Sequence, residues 1–118
     1  MSKPEHNDDR DQRHRALLTK WRGAYAQLWS YSPSHAQLTI RVEPSERRAN
    51  LHIVCASSER ICGPTSWDNS HFEFDRVVES GETIIKLRDA SVGFEVSCSG
   101  LSLMEDVAPI YEATFKTS

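Results

Sequence analysis

No run in this 118-residue sequence approaches the roughly 18 consecutive apolar residues that a membrane-spanning helix requires. Membrane insertion is therefore not expected. The opening segment, Met1-Ser-Lys-Pro-Glu-His-Asn-Asp-Asp-Arg, has no apolar stretch of the kind a secretory signal needs. It also carries too many acids for an ordinary transit peptide, so a cytoplasmic location is the expectation. Cysteine is scarce and odd in number: Cys55, Cys62 and Cys98. That count predicts reduced thiols rather than a disulfide framework. An excess of either charge is missing too. Fourteen Lys and Arg stand against 17 Asp and Glu, leaving a net charge of −3. This mild balance favours solubility and argues against nucleic acid as a partner, which needs a basic face. Internal repeats and low-complexity segments are absent.

What is present suffices for one core. Hydrophobic residues make up 38% of the chain, and a chain of this length buries roughly two thirds of its unfolded surface. The expected plan is a disordered polar N-terminus at 1–7 and a single α+β domain at 8–118.

The first periodic signal is helical. Asn7 is placed to cap, and Asp8, Asp9 and Asp11 sit where a helix N-terminus favours negative charge. At about 100° per residue, Leu17, Leu18, Trp21, Ala24, Tyr25, Leu28 and Trp29 share one arc of about 140°. Thr19, Lys20, Arg22, Gln27 and Ser30 fall outside it. The pattern predicts an amphipathic helix from Asn7 to Ser32, tolerating Gly23 on its polar side. Pro33 ends it, because the residue before a proline avoids the α region.

Beyond Pro33 the period becomes 2. Ala36, Leu38, Ile40 and Val42 alternate with polar residues and predict a half-buried strand. Leu51, Ile53 and Cys55 predict a second, buried on both faces towards its end. Arg60 to Cys62 reads as a short third strand, and Trp67 to Ser70 as a loop. Phe72, Phe74 and Val78 mark the next strand, and Ser80-Gly81 reads as a two-residue hairpin turn. That turn sets Phe74 opposite Leu87 and Val78 opposite Thr83, a self-consistent register. Phe94, Val96 and Cys98 form another inward row, whereas Leu101 and Leu103 have the opposite parity. A turn or bulge at Ser99-Gly100 would reconcile them, and a two-residue turn sets Cys98 opposite Leu101 and Val96 opposite Leu103. Ile110, Tyr111 and Phe115 suggest a final edge segment near Pro109. Nothing between these segments has room for a crossover helix. The expected fold class is therefore α+β: one N-terminal amphipathic helix packed on a mostly antiparallel sheet of six or seven short strands, meander or sandwich-like.

No residue pattern identifies a catalytic group. His52, Cys55 and Cys62 are the candidate metal ligands, since His and Cys suit zinc. Their spacing matches no standard zinc motif, and the odd separation of His52 and Cys55 puts them on opposite faces of a regular strand. Cys62, at a strand-to-turn junction, is also the more plausible nucleophile, with His35, His52 or His71 as its base. Trp67, Asp68 and His71 are the candidate binding residues, since a loop mixing aromatic, acid and imidazole groups suits recognition. The structural alternative makes Trp67 a plug at the sheet end, with Asp68 and Asn69 bonding the turn. His14, one turn before Leu18, reads as a partly buried core histidine. The basic helix residues and the Arg47-Arg48 pair read as solvated charge.

Together these features favour a non-enzymatic protein-interaction module, of inhibitor, immunity or accessory-subunit type, with no cofactor. Its expected partner is another protein, and a homodimer is the variant in which that partner is a second copy. The alternative is a small ligand- or metal-binding domain that uses the region from His52 to His71.

Overall fold

The computed structural model describes residues 2–44 and 49–107, and the side chains of 9–44 and 49–105. The side chains of the expected disordered start and of the first acidic turn up to Asp8 lie outside them. So do the Arg47-Arg48 pair and the edge segment expected around Ile110, Tyr111 and Phe115.

The helix ends earlier than its apolar arc. Helix α1 spans Ser2–Lys20, so Asn7 lies within it and is not its N-cap. Gly23 adopts φ +89°, the left-handed conformation that closes helices at low cost only in glycine. Its N–H donates to the Ser70 carbonyl at 2.8 Å. Tyr25–Ser32 is then strand β1, not helix. Tyr-Ala-Gln-Leu-Trp-Ser-Tyr is rich in aromatics that fit a pleated surface. Ala24, Tyr25, Leu28 and Trp29 fell on the helical arc because a register break disguises their alternation. Ala26 pairs with Val42 and Leu28 with Ile40, then Ser30 pairs with Thr39, which leaves Trp29 as an extra residue. This is a bulge.

The remaining strands are β2 (Gln37–Glu43), β3 (Asn50–Ala56), β4 (Arg60–Cys62), β5 (Ser66–Trp67), β6 (Glu73–Glu79), β7 (Glu82–Asp89), β8 (Phe94–Cys98) and β9 (Gly100–Val107). Nine strands among the described residues thus replace the expected six or seven. They form two antiparallel sheets, ordered β5-β1-β2-β3-β9 and β4-β8-β7-β6. The fold is α+β, with the sheets facing one another across a shared core. Ile40, Val42, Leu51, Ile53 and Cys55 enter it from one sheet, and Ile85, Leu87, Phe94, Val96 and Cys98 from the other, each at most 2% exposed. No helix among the described residues is long and apolar enough to cross a membrane.

The β6–β7 hairpin has the expected register: Phe74 faces Leu87, Val78 faces Thr83, and Ser80 and Gly81 both have positive φ. Val78 nevertheless overhangs the sandwich and is 73% exposed. The hairpin expected at Ser99-Gly100 is absent. There the chain crosses from one sheet to the other. Cys98 pairs with Ile85, and Val96 with Leu87 and Ile61. Leu101 pairs with Cys55 and Leu103 with Ile53. A change of sheet explains the parity shift without a bulge. Strand β3 is buried on both faces at its start, where Asn50, Leu51, His52 and Ile53 lie, rather than at its end. Arg60–Cys62 is a strand, but it pairs with β8 in the second sheet.

Helix α1 packs on edge strand β6, and its C-terminal end reaches edge strand β9. Leu18 inserts into the core. Arg76 of β6 donates to both Asp11 carboxylate oxygens, at 2.7 and 3.1 Å. Arg15 lies over the Phe74 ring, 4.4 Å from its centre, and donates to the Phe74 carbonyl. At the other end, Lys20 and the Trp21 indole N–H both donate to Glu105 of β9, at 2.7 and 3.0 Å. These bonds hold the Glu105 carboxyl below its usual range.

Candidate functional site

Where α1 gives way to β1 the surface opens into a groove of about 700 Å³. Trp21 and Tyr25 supply aromatic walls, Lys20 and Arg22 positive charge, and Glu43 and Asp68 negative charge. Ser70 fixes this junction. Its N–H and hydroxyl both donate to the Ala24 carbonyl, at 3.0 and 2.8 Å, and its own carbonyl receives Gly23. Asn69, at φ +56°, turns the chain along the groove wall.

Glu43 connects the groove to the outer face of the five-stranded sheet. It accepts from Gln27 at 2.9 Å and lies 4.0 Å from Arg41. The Trp29 ring lies on the Arg41 guanidinium, 3.8 Å from ring centre to carbon, and 6.5 Å from the His52 ring. The bulge in β1 places Trp29 there, so a face expected to be wet is covered: Arg41 is 3% and His52 6% exposed. The His52 Nε2 makes no hydrogen bond among the described residues. Burial, and then the Arg41 charge, lower the His52 pKa and favour its neutral form.

The structure separates the three candidate binding residues. Asp68 lines the groove. Trp67 points into the core against Phe72 and Phe94, with ring centres 5.6 and 4.9 Å away. Its N–H donates to Asp89 at 2.8 Å. His71 is exposed, and only its backbone N–H joins Asp89, also at 2.8 Å. Trp67 therefore occupies the plug position.

The candidate metal ligands are dispersed as well. His52 faces outward and Cys55 inward, as their odd separation requires. Cys62 is exposed on β4, over a shallow hollow lined by Arg60, Lys86, Glu95 and Ser97. No histidine lines that hollow, and among the described residues no group of three or more His, Cys, Asp or Glu is placed to hold a metal ion. His14 is half-buried, edge-on to the Phe74 ring at 6.3 Å.

Sequence reasoning passed over Trp29, Arg41 and Asp89. Arg41 and Asp89 each occupy an alternating strand whose parity is visible, but Trp29 reaches Arg41 only through the bulge. No family model, curated protein or solved structure matches the chain.

Proposed function

We propose that this chain is a non-enzymatic interaction module that takes a segment of another protein into the groove beside the end of α1. The observation that carries this reading is the groove itself, with Trp21 and Tyr25 as walls between charges of both signs. Aromatic residues and arginine are what protein interfaces concentrate, usually at the few positions that carry affinity. A small molecule favours a more enclosed, mostly apolar pocket. An open groove with Lys20 and Arg22 on one part and Glu43 and Asp68 on another suits a peptide with an apolar side chain flanked by charges. In this reading the module works in the cytoplasm, as an inhibitor or accessory subunit.

The test is site-specific photo-crosslinking in extract of the native host. A photoreactive residue at Asp68 should capture one protein at near-stoichiometric yield, and the same residue at Val78, exposed on β6, should not. Tyr25→Ala should lower capture at Asp68 at least tenfold while the melting temperature moves little. Equal capture at both positions, capture of the chain's own second copy alone, or capture indifferent to Tyr25→Ala would each overturn the assignment.

A further inference from the structure

We infer that Cys55 and Cys98 are the two halves of an inter-sheet disulfide, closed when the thiols meet a small-molecule disulfide such as oxidised glutathione. Cys55 projects from β3 and Cys98 from β8, so the bond would join the two layers of the sandwich. Both side chains face the shared core, 0% and 2% exposed. The chain crosses between sheets just beyond them. Ser99, which follows Cys98, donates its N–H to the carbonyl of Ala56, which follows Cys55, at 3.0 Å. That bond holds the two strands together one residue beyond the cysteines, which favours the close Cα approach a disulfide requires. Each thiol perturbs the other, Cys55 upward and Cys98 downward, as two side chains directed at one another in the core do.

Within the closed sandwich the two sulfurs shift one another in opposite directions. The Cys98 side chain, together with burial, pushes the Cys55 thiol up. Cys98 is lowered by the Cys55 side chain, and the Gly100 N–H and the Arg76 charge act in the same direction. Once the layers part, either thiol can lead, and in one of the two equivalent orders Cys98 attacks first as a thiolate. It bonds to one sulfur of the oxidant, the oxidant's S–S bond breaks, and one small thiolate leaves. Cys55, after losing its proton, then attacks the Cys98 sulfur of this mixed disulfide and expels the second small thiolate. The two cysteines lose two electrons and two protons, and the oxidant is reduced to two thiols. Neither sulfur is accessible in the closed sandwich, so exchange occurs while the layers are apart, during folding or opening. In a reducing compartment the same pair stays as two thiols. Cys62, exposed on β4, takes no part.

The full chain carrying Cys62→Ser should be reduced, unfolded, and refolded with reduced and oxidised glutathione. It should then be alkylated in denaturant and weighed. The expected product has no alkylated thiol, no glutathione adduct, and a melting temperature roughly 10–20 °C above the reduced form, because the bond closes a loop of about 40 residues. Adding Cys98→Ala should leave Cys55 free or glutathionylated and abolish the gain. Two alkylated thiols after refolding in excess oxidised glutathione would overturn the inference. A cross-linked chain melting no higher than the reduced one would do the same.

Discussion

Asp89 ties β5 and the loop before β6 to the turn after β7. Its carboxylate is fully buried and accepts four hydrogen bonds: from the Trp67 indole and His71 backbone, both at 2.8 Å, and from the Ser91 N–H and hydroxyl at 3.1 and 2.6 Å. Burial pushes this carboxyl up, yet the bonds from Ser91, His71 and Trp67 outweigh it and hold the pKa below the ordinary 3.8. An amide in its place turns one acceptor into a donor that faces at least one N–H group and removes the charge that the four donors stabilise. Asp89→Asn should therefore cost about 3 kcal/mol in urea unfolding near pH 7. A loss under about 1 kcal/mol would show that the loop re-forms without the carboxylate. The same shift makes a prediction in acid. A carboxyl with a depressed folded pKa stabilises fully above its unfolded value of 3.8, and that contribution is lost as pH falls through the folded value. Asp11, depressed mainly by its bond from Arg76, behaves alike. Wild type should thus lose stability below about pH 4, and Asp89→Asn should show a shallower acid slope. Equal slopes in the two proteins would remove Asp89 from the account.

At the scale of elements, the clasp of α1 on β6 rests on the Asp11–Arg76 pair. The Asp11 side chain is 7% exposed and that of Arg76 34%, so solvent weakens the pair relative to a fully buried one. A double-mutant cycle with Asp11→Ala and Arg76→Ala should give a coupling energy of about 1–2 kcal/mol, read by urea unfolding. Arg76→Ala alone should cost more than Asp11→Ala, because it leaves a buried carboxylate without its cation. Additive single variants would mean that Leu18, not the ion pair, holds the helix. Sequence made the elements legible unevenly, for local reasons. The Ser80-Gly81 turn encodes its own geometry in two residues that tolerate positive φ, so its register could be read before folding. The end of α1 could not. Gly23 is a weak stop signal, and β1 fits the 3.6-residue arc until Trp29 is recognised as a bulge residue. The parity change at Ser99 was visible, but whether a chain turns or changes sheets depends on Ala56, more than forty positions earlier. The site was split in the same way. Asp68 was legible as a polar loop residue, but not the groove it lines, and Trp29 on Arg41 exists only after β1 and β2 have paired.

At the scale of the whole molecule, a two-sheet sandwich has four edges, and each invites pairing with another chain. Two of them are short: β4 has three residues and β5 two. The long ones are β6, which α1 lies against, and β9, which the last residue of α1 reaches. Arg15 occupies the Phe74 carbonyl on one, and Lys20 and Trp21 hold Glu105 on the other. The helix therefore protects edges as well as filling core. A chain lacking residues 2–20 should self-associate, showing by light scattering a mass that exceeds the full chain's at equal concentration and rises as concentration rises. Exposed core alone would also produce aggregates, so a second substitution separates the causes. Val78→Lys places a charge on β6 at a position already 73% exposed in the intact protein. It should leave the full chain's stability within about 0.5 kcal/mol of wild type, as exposed surface changes usually do. In the truncated chain it should suppress association, because an edge lysine blocks strand pairing but leaves the uncovered apolar surface as it was. If the truncated chain associates equally with valine or lysine there, the β6 edge is not the contact, and the role of α1 is core burial alone.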